Sequence, residues 1–183
     1  MQRDLILRAR DGDHEAFTAV VTEAYDPLYR TARLILRSDE SAADAVQDAL
    51  VSAWLHIRAV RDPDRFDAWL YRLVVHACYR EARRNRRLVE IRLAPLAGAT
   101  ELDPTRRTAD RDQLERGFSR LSPEHRTVLV VHFYLGLTDV QAATVLGVPV
   151  GTVKSRLSRA LRALRAAVEA VERASVLAGE SAT

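Results

Sequence analysis

Gly147 constrains this chain more tightly than any other residue. It follows the apolar run Ala142, Ala143, Val145 and Leu146, and glycine is the residue that closes a helix in the left-handed conformation at little steric cost. Pro149 stands two residues on, Gly151 and Thr152 follow, and a second periodic run starts at Val153. The stretch Thr138 to Leu164 therefore predicts a helix, a tight turn and a second helix. On that second helix Val153, Leu157, Ala160, Leu161, Leu164 and Val168 recur at the three-and-four spacing of a buried stripe. Ser155, Ser158, Arg159 and Arg162 fall on the opposite side, and Lys154 and Arg156 flank them near the helix start. A helix N-terminus already attracts anions through its unpaired N–H groups. From Lys154 to Arg165 five basic residues meet no acidic one. This pattern suits a helix that places its first turns in a DNA major groove; a helical hairpin buried in a core is the other reading of the local pattern.

The rest of the composition is consistent with helices throughout. Only 7 Gly and 6 Pro occur in 183 residues, leaving little room for β-turns, and Ala, Leu and Arg are good helix formers. An all-α chain of two small helical domains is expected. No apolar run approaches the ~20 residues that a membrane-spanning helix needs, and the N-terminus MQRDLILRARDGD is too charged for a signal peptide. The expected location is cytoplasmic. Cys78 has no partner for an internal disulfide and is expected as a small buried hydrophobe. No Cys or His pair has metal-ligand spacing, so neither a metal nor a cofactor is expected. The five histidines are scattered, and no nucleophile motif or glycine-rich phosphate loop accompanies them, so an enzyme is not expected. The net charge is +3, with 15 basic and 15 acidic residues in positions 1–90. Basic clusters are local to particular helices, as expected of a protein that binds DNA weakly alone and relies on a partner.

Taken in order, Leu5 to Arg37 reads as two helices parted by Asp11 to His14, with Asp13 capping the second; Asp26-Pro27 is expected to break that helix and start a third run. The next helix opens at Ser38 to Ser41 and runs to about Val60. Its stripe is Val46, Ala49, Leu50, Ala53, Trp54 and Ile57, with Asp44, Gln47 and Asp48 away from it. Two carboxylates one turn apart without a third ligand suit a basic protein partner better than catalysis. Past Pro63, a long helix from Asp67 to about Leu88 carries Phe66, Leu70, Leu73, Val74 and Ala77 on one side. Its aromatics Trp69, Tyr71 and Tyr79 precede the basic run Arg80, Arg83, Arg84, Arg86 and Arg87. Aromatics followed by arginines fit a surface that tracks phosphates and stacks on unpaired bases; core aromatics with dipole-favoured arginines fit the same residues. The periodicity fails from Ile91 to Asp112, a linker. The second domain, 113–178, starts near Gln113, with Ser122 and Pro123 opening a helix whose buried body is Val128 to Leu135. Gly136 ends it, Thr138 caps the next, and a frayed tail is expected over Ala174 to Thr183, with 179–183 outside the domain.

Four stretches carry a family resemblance. LSPEHRTVLVVHFYLGLTDVQAATVLGVPVGTVKSRLSRAL resembles the C-terminal promoter-binding region of bacterial sigma factors, and SAADAVQDALVSAWLHI resembles their polymerase-binding helix. RARDGDHEAFTAVVTEAYDPLYRTARLIL is similar to the helices before it, and FDAWLYRLVVHACYREARRNRR to the helix that engages melted promoter DNA. All stand in the family's order, and the length matches the small two-domain extracytoplasmic-function group of the sigma-70 family. The resemblance implies that Asp44, Gln47 and Asp48 dock on the coiled coil of the largest subunit of core RNA polymerase, and that the second domain meets the flap of the second-largest subunit. It implies that Lys154, Ser155, Arg156, Ser158 and Arg159 contact the upstream (−35) promoter element, and that Arg65, Trp69, Arg72, His76, Arg80, Arg83 and Arg84 line the downstream (−10) surface. It further implies a linker threading toward the RNA exit path and an anti-sigma factor as partner. His76 stands where the family usually has Asn, Arg80 where it often has Asp, and TDVQAA where an aromatic and two acids are usual. A helix-turn-helix repressor or activator acting without polymerase is the competing reading; it would need neither the acidic helix nor the arginine-rich aromatic one.

Overall fold

The computed structural model describes residues 2–92 and 109–180, with side chains over 2–85 and 111–174. All regular structure among the described residues is helical, and the helices group into two compact units, one built around the first four and one around the last four.

In the first unit, α1 (Gln2–Arg10) and α2 (His14–Leu36) are joined by a turn at Gly12. The Asp13 carboxylate accepts from the Ala16 N–H at 3.0 Å and caps α2, as its position predicts. That helix does not end at Asp26-Pro27: it runs unbroken through Pro27 to Leu36. An internal proline costs a helix ~3 kcal/mol, but α2 buries Phe17 and Val20 before it and Leu28, Ala32 and Ile35 after it. Fully burying side chains of that size is worth ~1.5–3 kcal/mol each, so two buried segments on one axis outweigh one lost hydrogen bond. Thr31 also turns its hydroxyl back to the Pro27 carbonyl, at 2.8 Å.

Arg37 closes α2 in the left-handed conformation (φ 62°), its N–H donating to the Arg33 carbonyl at 2.8 Å. Ser38 then caps α3 (Asp39–His56) through the Ser41 N–H at 3.2 Å. An Arg33–Asp39 ion pair and a Tyr29 hydroxyl donating to Asp39 at 3.0 Å pin the start of α3 to α2. The buried stripe of α3 is Ala42, Ala45, Val46, Ala49 and Ala53, small side chains that let α2 and α4 approach closely. Two 3₁₀ turns, Ile57–Ala59 and Pro63–Arg65, connect it to α4 (Phe66–Arg92), which buries Phe66, Leu70, Val74, Val75 and Cys78. Pro63 opens the second of these turns. Burial pushes the Cys78 thiol up to about 12, so it is an uncharged core group.

In the second unit α5 (Ala109–Ser119) precedes α6 (Pro123–Leu129), which Ser122 caps and Pro123 opens as expected. The linker reading of 91–112 covers helix at both ends, through Arg92 and from Ala109; residues 93–108 lie outside those described. A π turn, Val130–Tyr134, extends α6. It inserts one residue per turn, and Phe133 and Tyr134 face solvent instead of completing a buried body to Leu135. Gly136 (φ 65°) ends the element. Thr138 and Gln141 then form a capping box for α7 (Asp139–Leu146): the Gln141 N–H donates to the Thr138 hydroxyl, and the Thr138 N–H to the Gln141 side-chain oxygen. Helix α8 (Val150–Glu180) follows, so Ala174 to Glu180 continue it rather than fray; 181–183 are not described.

Candidate nucleic-acid interface

The turn between α7 and α8 is the predicted one. Gly147 takes φ 66°, and the Val148 N–H reaches back to the Ala143 carbonyl at 3.1 Å, closing α7. Helix α8 begins three residues earlier than the apolar periodicity suggests. The Pro149 carbonyl accepts the first helical bonds, from the N–H groups of Thr152 and Val153, so Val150, Gly151 and Thr152 form the first turn.

Val153, Ala160 and Val171 hold α8 to its unit with their side chains buried. Leu161, expected in that stripe, is 43% exposed. Each residue turns ~100° about the axis, so Leu161 sits ~80° from Val153, at the margin of the packed side. Lys154, Ser155, Ser158, Arg159 and Arg162 are all exposed, while Arg156 is half-buried at the opposite margin. The Ser155 hydroxyl donates to the Thr152 carbonyl at 3.0 Å, and the Arg159 Nε to the Ser155 carbonyl at 3.2 Å. Four of the five expected upstream-element residues therefore share one open face.

On α4 the second expected surface is a single strip. Trp69, Arg72, His76, Arg80 and Arg83 fall within ~80° of arc, continuing the line of Arg65 in the preceding turn. The four arginines are exposed, and Trp69 and His76 are partly so. Trp69 leans on buried Phe66, with ring centroids 5.7 Å apart, so it is at once a core side chain and part of the strip. Burial, and then the guanidiniums of Arg72 and Arg80 one turn to either side, hold the His76 imidazole below its ordinary value, leaving it neutral at pH 7. Arg84 does not join the strip. It donates to Glu81 at 3.1 Å and to Asp44 of α3 at 3.3 Å. The side chains of Arg86 and Arg87 are not among those described.

Asp44, Gln47 and Asp48 stand exposed on α3, as expected. The structure adds two residues to their face: Val51, 54% exposed, and Leu55, 69% exposed. All five lie within ~100° of arc, acidic toward the N-terminal end and apolar toward the other. The stripe read from the sequence passed over Val51 and Leu55. Trp54, which it included, is partly buried by stacking on His14, 3.9 Å between centroids, and by Phe17 at 5.0 Å. Two exposed aliphatics thus adjoin three exposed polar side chains on one open face of α3.

Comparison with known proteins gives both units a counterpart. Residues 20–88 match Sigma-70 region 2 and residues 117–166 match Sigma-70 region 4. The ECF RNA polymerase sigma factor SigM of Mycobacterium tuberculosis is 35% identical over 150 residues, 81% of this chain and 75% of that protein. The RNA polymerase sigma-E factor of Streptomyces coelicolor is 31% identical over 150 residues, 82% and 84% of the two chains. Among solved structures, CnrH in complex with the cytosolic domain of CnrY aligns with a TM-score of 0.63 at 29% identity, over 92% of this chain and 97% of that one. RpoE in complex with the anti-sigma factor NepR from Bartonella quintana has the same fold, with a TM-score of 0.69 at 23% identity over 84% and 96%.

Proposed function

This chain belongs to the extracytoplasmic-function sigma factors of the sigma-70 family, and from that premise we propose how its residues divide the work. It is an RNA polymerase sigma factor, a subunit that binds the core enzyme and directs it to promoters. The first unit, 1–90, carries two tasks. The α3 face of Asp44, Gln47, Asp48, Val51 and Leu55 docks on the coiled coil of the largest polymerase subunit: the carboxylates meet basic residues, and the two aliphatics supply the desolvated contact. The α4 strip from Arg65 to Arg83 holds the downstream element as it melts, the arginines on phosphates and Trp69 and His76 toward unstacked bases. The second unit, 113–178, reads the upstream element through Lys154, Ser155, Ser158 and Arg159, with Arg156 at the edge, and meets the flap of the second-largest subunit. Catalysis belongs to the polymerase.

The observation that carries this reading is an acidic-and-apolar face on α3 and a separate basic aromatic strip on α4 within one four-helix unit. A repressor acting alone would need only the helix-turn-helix. CnrH is found with the cytosolic domain of CnrY, and RpoE with the anti-sigma factor NepR; an anti-sigma factor is accordingly the regulatory partner proposed here. No helix among the described residues is long and apolar enough to cross a membrane, in keeping with work in the cytoplasm.

Run-off transcription with purified core polymerase on genomic fragments tests the whole reading, which predicts promoter-specific transcripts. Tight binding of the protein alone to a DNA site, without any transcript, would favour the repressor. Asp48→Arg should abolish core binding and leave the full-length protein's affinity for upstream-element duplex unchanged; equal loss of both would make α3 merely structural.

A further inference from the structure

We propose that Arg84 is a positioning residue of the polymerase-docking face, holding the Asp44 carboxylate in place on α3, and that it takes no part in the DNA strip. The inference rests on the assignment of α3 to polymerase docking.

Arg83 and Arg84 are neighbours in sequence and differ in surroundings. Arg83 continues the exposed line of Arg72 and Arg80. Arg84 is turned ~100° away, toward α3, where its Nη2 donates to Asp44 Oδ2 at 3.3 Å and to Glu81 Oε1 at 3.1 Å. The Glu81 side chain is only 8% exposed, whereas those of Arg84 and Asp44 are 61% and 50% exposed. A carboxylate so far from water is stabilised by a hydrogen-bonded cation beside it, and Arg84 supplies one. One end of the guanidinium is thereby held by a buried anchor.

That anchor changes what the exposed contact can do. A free surface pair between a long arginine and an aspartate loses in side-chain entropy most of what it gains in attraction. Here the arginine is already ordered by Glu81, so presenting an N–H to Asp44 costs little further freedom. One residue along, the Asn85 amide donates to the Ser41 hydroxyl at 3.1 Å, and this second bridge fixes α3 against α4 in the same register. The Asp44 carboxylate keeps its other oxygen for a partner. A polymerase helix thus meets a carboxylate that is already oriented, and Arg84, engaged within the protein, is withdrawn from the phosphates that Arg80 and Arg83 face.

The test measures the affinity of the full-length protein for core polymerase, and the rate of open-complex formation at saturating sigma factor. The variants are Arg84→Ala, Arg84→Lys, Asp44→Asn and the double variant Arg84→Ala/Asp44→Asn. Arg30→Ala, which removes one exposed charge from α2, and Asp48→Arg serve as controls, and the folded fraction of each is checked by circular dichroism at the assay temperature. Arg84→Ala should weaken core binding by about 1.5- to 5-fold, the range of a coupled surface ion pair. Asp44→Asn should act in the same direction, the double variant should be no weaker than the poorer single one, and Arg84→Lys should recover part of the loss. Arg30→Ala should leave core affinity unchanged, and the Arg84→Ala holoenzyme should melt promoters at the wild-type rate. Wild-type core affinity with slowed melting in Arg84→Ala would make Arg84 a DNA contact and overturn the proposal, and so would losses that multiply in the double variant. If Asp48→Arg abolishes core binding while Arg84→Ala does not weaken it, only this inference fails. If Asp48→Arg binds core normally, the docking face itself is wrong and the inference falls with it.

Discussion

Gly117→Ala should loosen the mounting of the DNA-reading helix, although glycine-to-alanine changes inside helices usually stabilise them. In a helix interior alanine is worth about 1 kcal/mol over glycine. At Gly117 the added Cβ would lie 2.6 Å from Val168 Cγ2, 3.1 Å from Val168 N and 3.3 Å from Val168 Cα. The methyl group can rotate away; the backbone of α8 cannot, so α5 must lift off α8 by several tenths of an ångström. Overpacking of that kind costs ~1–3 kcal/mol, and after the helix gain the net loss is ~0–2 kcal/mol. Gly151 supplies the opposite case: a Cβ there meets nothing within 4 Å, and Gly151→Ala should stabilise by ~0.4–1 kcal/mol. Because the two units need not unfold together, the readout should be local: hydrogen–deuterium exchange of peptides covering α5 and α8, beside urea melts. Gly117→Ala should speed exchange there and Gly151→Ala should slow it. Adding Val168→Ala to Gly117→Ala should restore little of the protection, since it removes the 2.6 Å contact and leaves the backbone ones at 3.1 and 3.3 Å. A Gly117→Ala protein better protected than the parent, by the ~1 kcal/mol that alanine brings to an unhindered helix position, would refute the close-approach argument.

Three further outcomes follow from the same geometry. Leu55→Glu should weaken core binding at least tenfold with little effect on the thermal midpoint, because the residue is 69% exposed; about 1.4 kcal/mol corresponds to tenfold, within reach of one desolvated aliphatic. Lys154→Ala should reduce the salt dependence of promoter binding by about one counterion if Lys154 meets a phosphate, whereas Arg159→Ala should relax base preference at one position, worth ~1–3 kcal/mol, if Arg159 reads a guanine. The cap bond from the Ala16 N–H, and then Arg8, holds the Asp13 carboxyl below its ordinary 3.8, so its contribution is full above that value and disappears as pH falls through the lowered folded-state value. Asp13→Ala should therefore lower the melting temperature at pH 7, with the gap to wild type closing in acid; a gap that persists at the lowest pH would exclude the carboxylate as its source.

Features set by chemistry within a turn or two were legible before any coordinates. The caps at Asp13, Ser122 and Thr138, the opening of α3 near Ser38, the stops at Gly136 and Gly147, and the helix-turn-helix between Gly147 and Val153 all depend on neighbours a few residues away. So does the separation of Asp44, Gln47 and Asp48 from the buried stripe of α3, since helical periodicity alone assigns the face. The family pattern added roles for these faces, which periodicity cannot supply.

Other features depend on groups far apart in sequence. Pro27 reads locally as a break, yet burial on both sides of it carries α2 through. Leu161 fits an apolar stripe by spacing, but the width of the packed side, set by helices elsewhere in the unit, leaves it in solvent. Val51 and Leu55 look like any aliphatic residues until Trp54 is seen stacked on His14. Gly117 is unremarkable until Val168 lies against it, and Arg84 is one arginine in a basic run until Glu81 and Asp44 claim it. Which segments are helical, and where capped helices such as α2, α6 and α7 start, is decided over a few residues and can be read from the chain alone. Which of their side chains are free to meet DNA or polymerase emerges only when the helices pack, because exposure and ion pairing are properties of helices packed together.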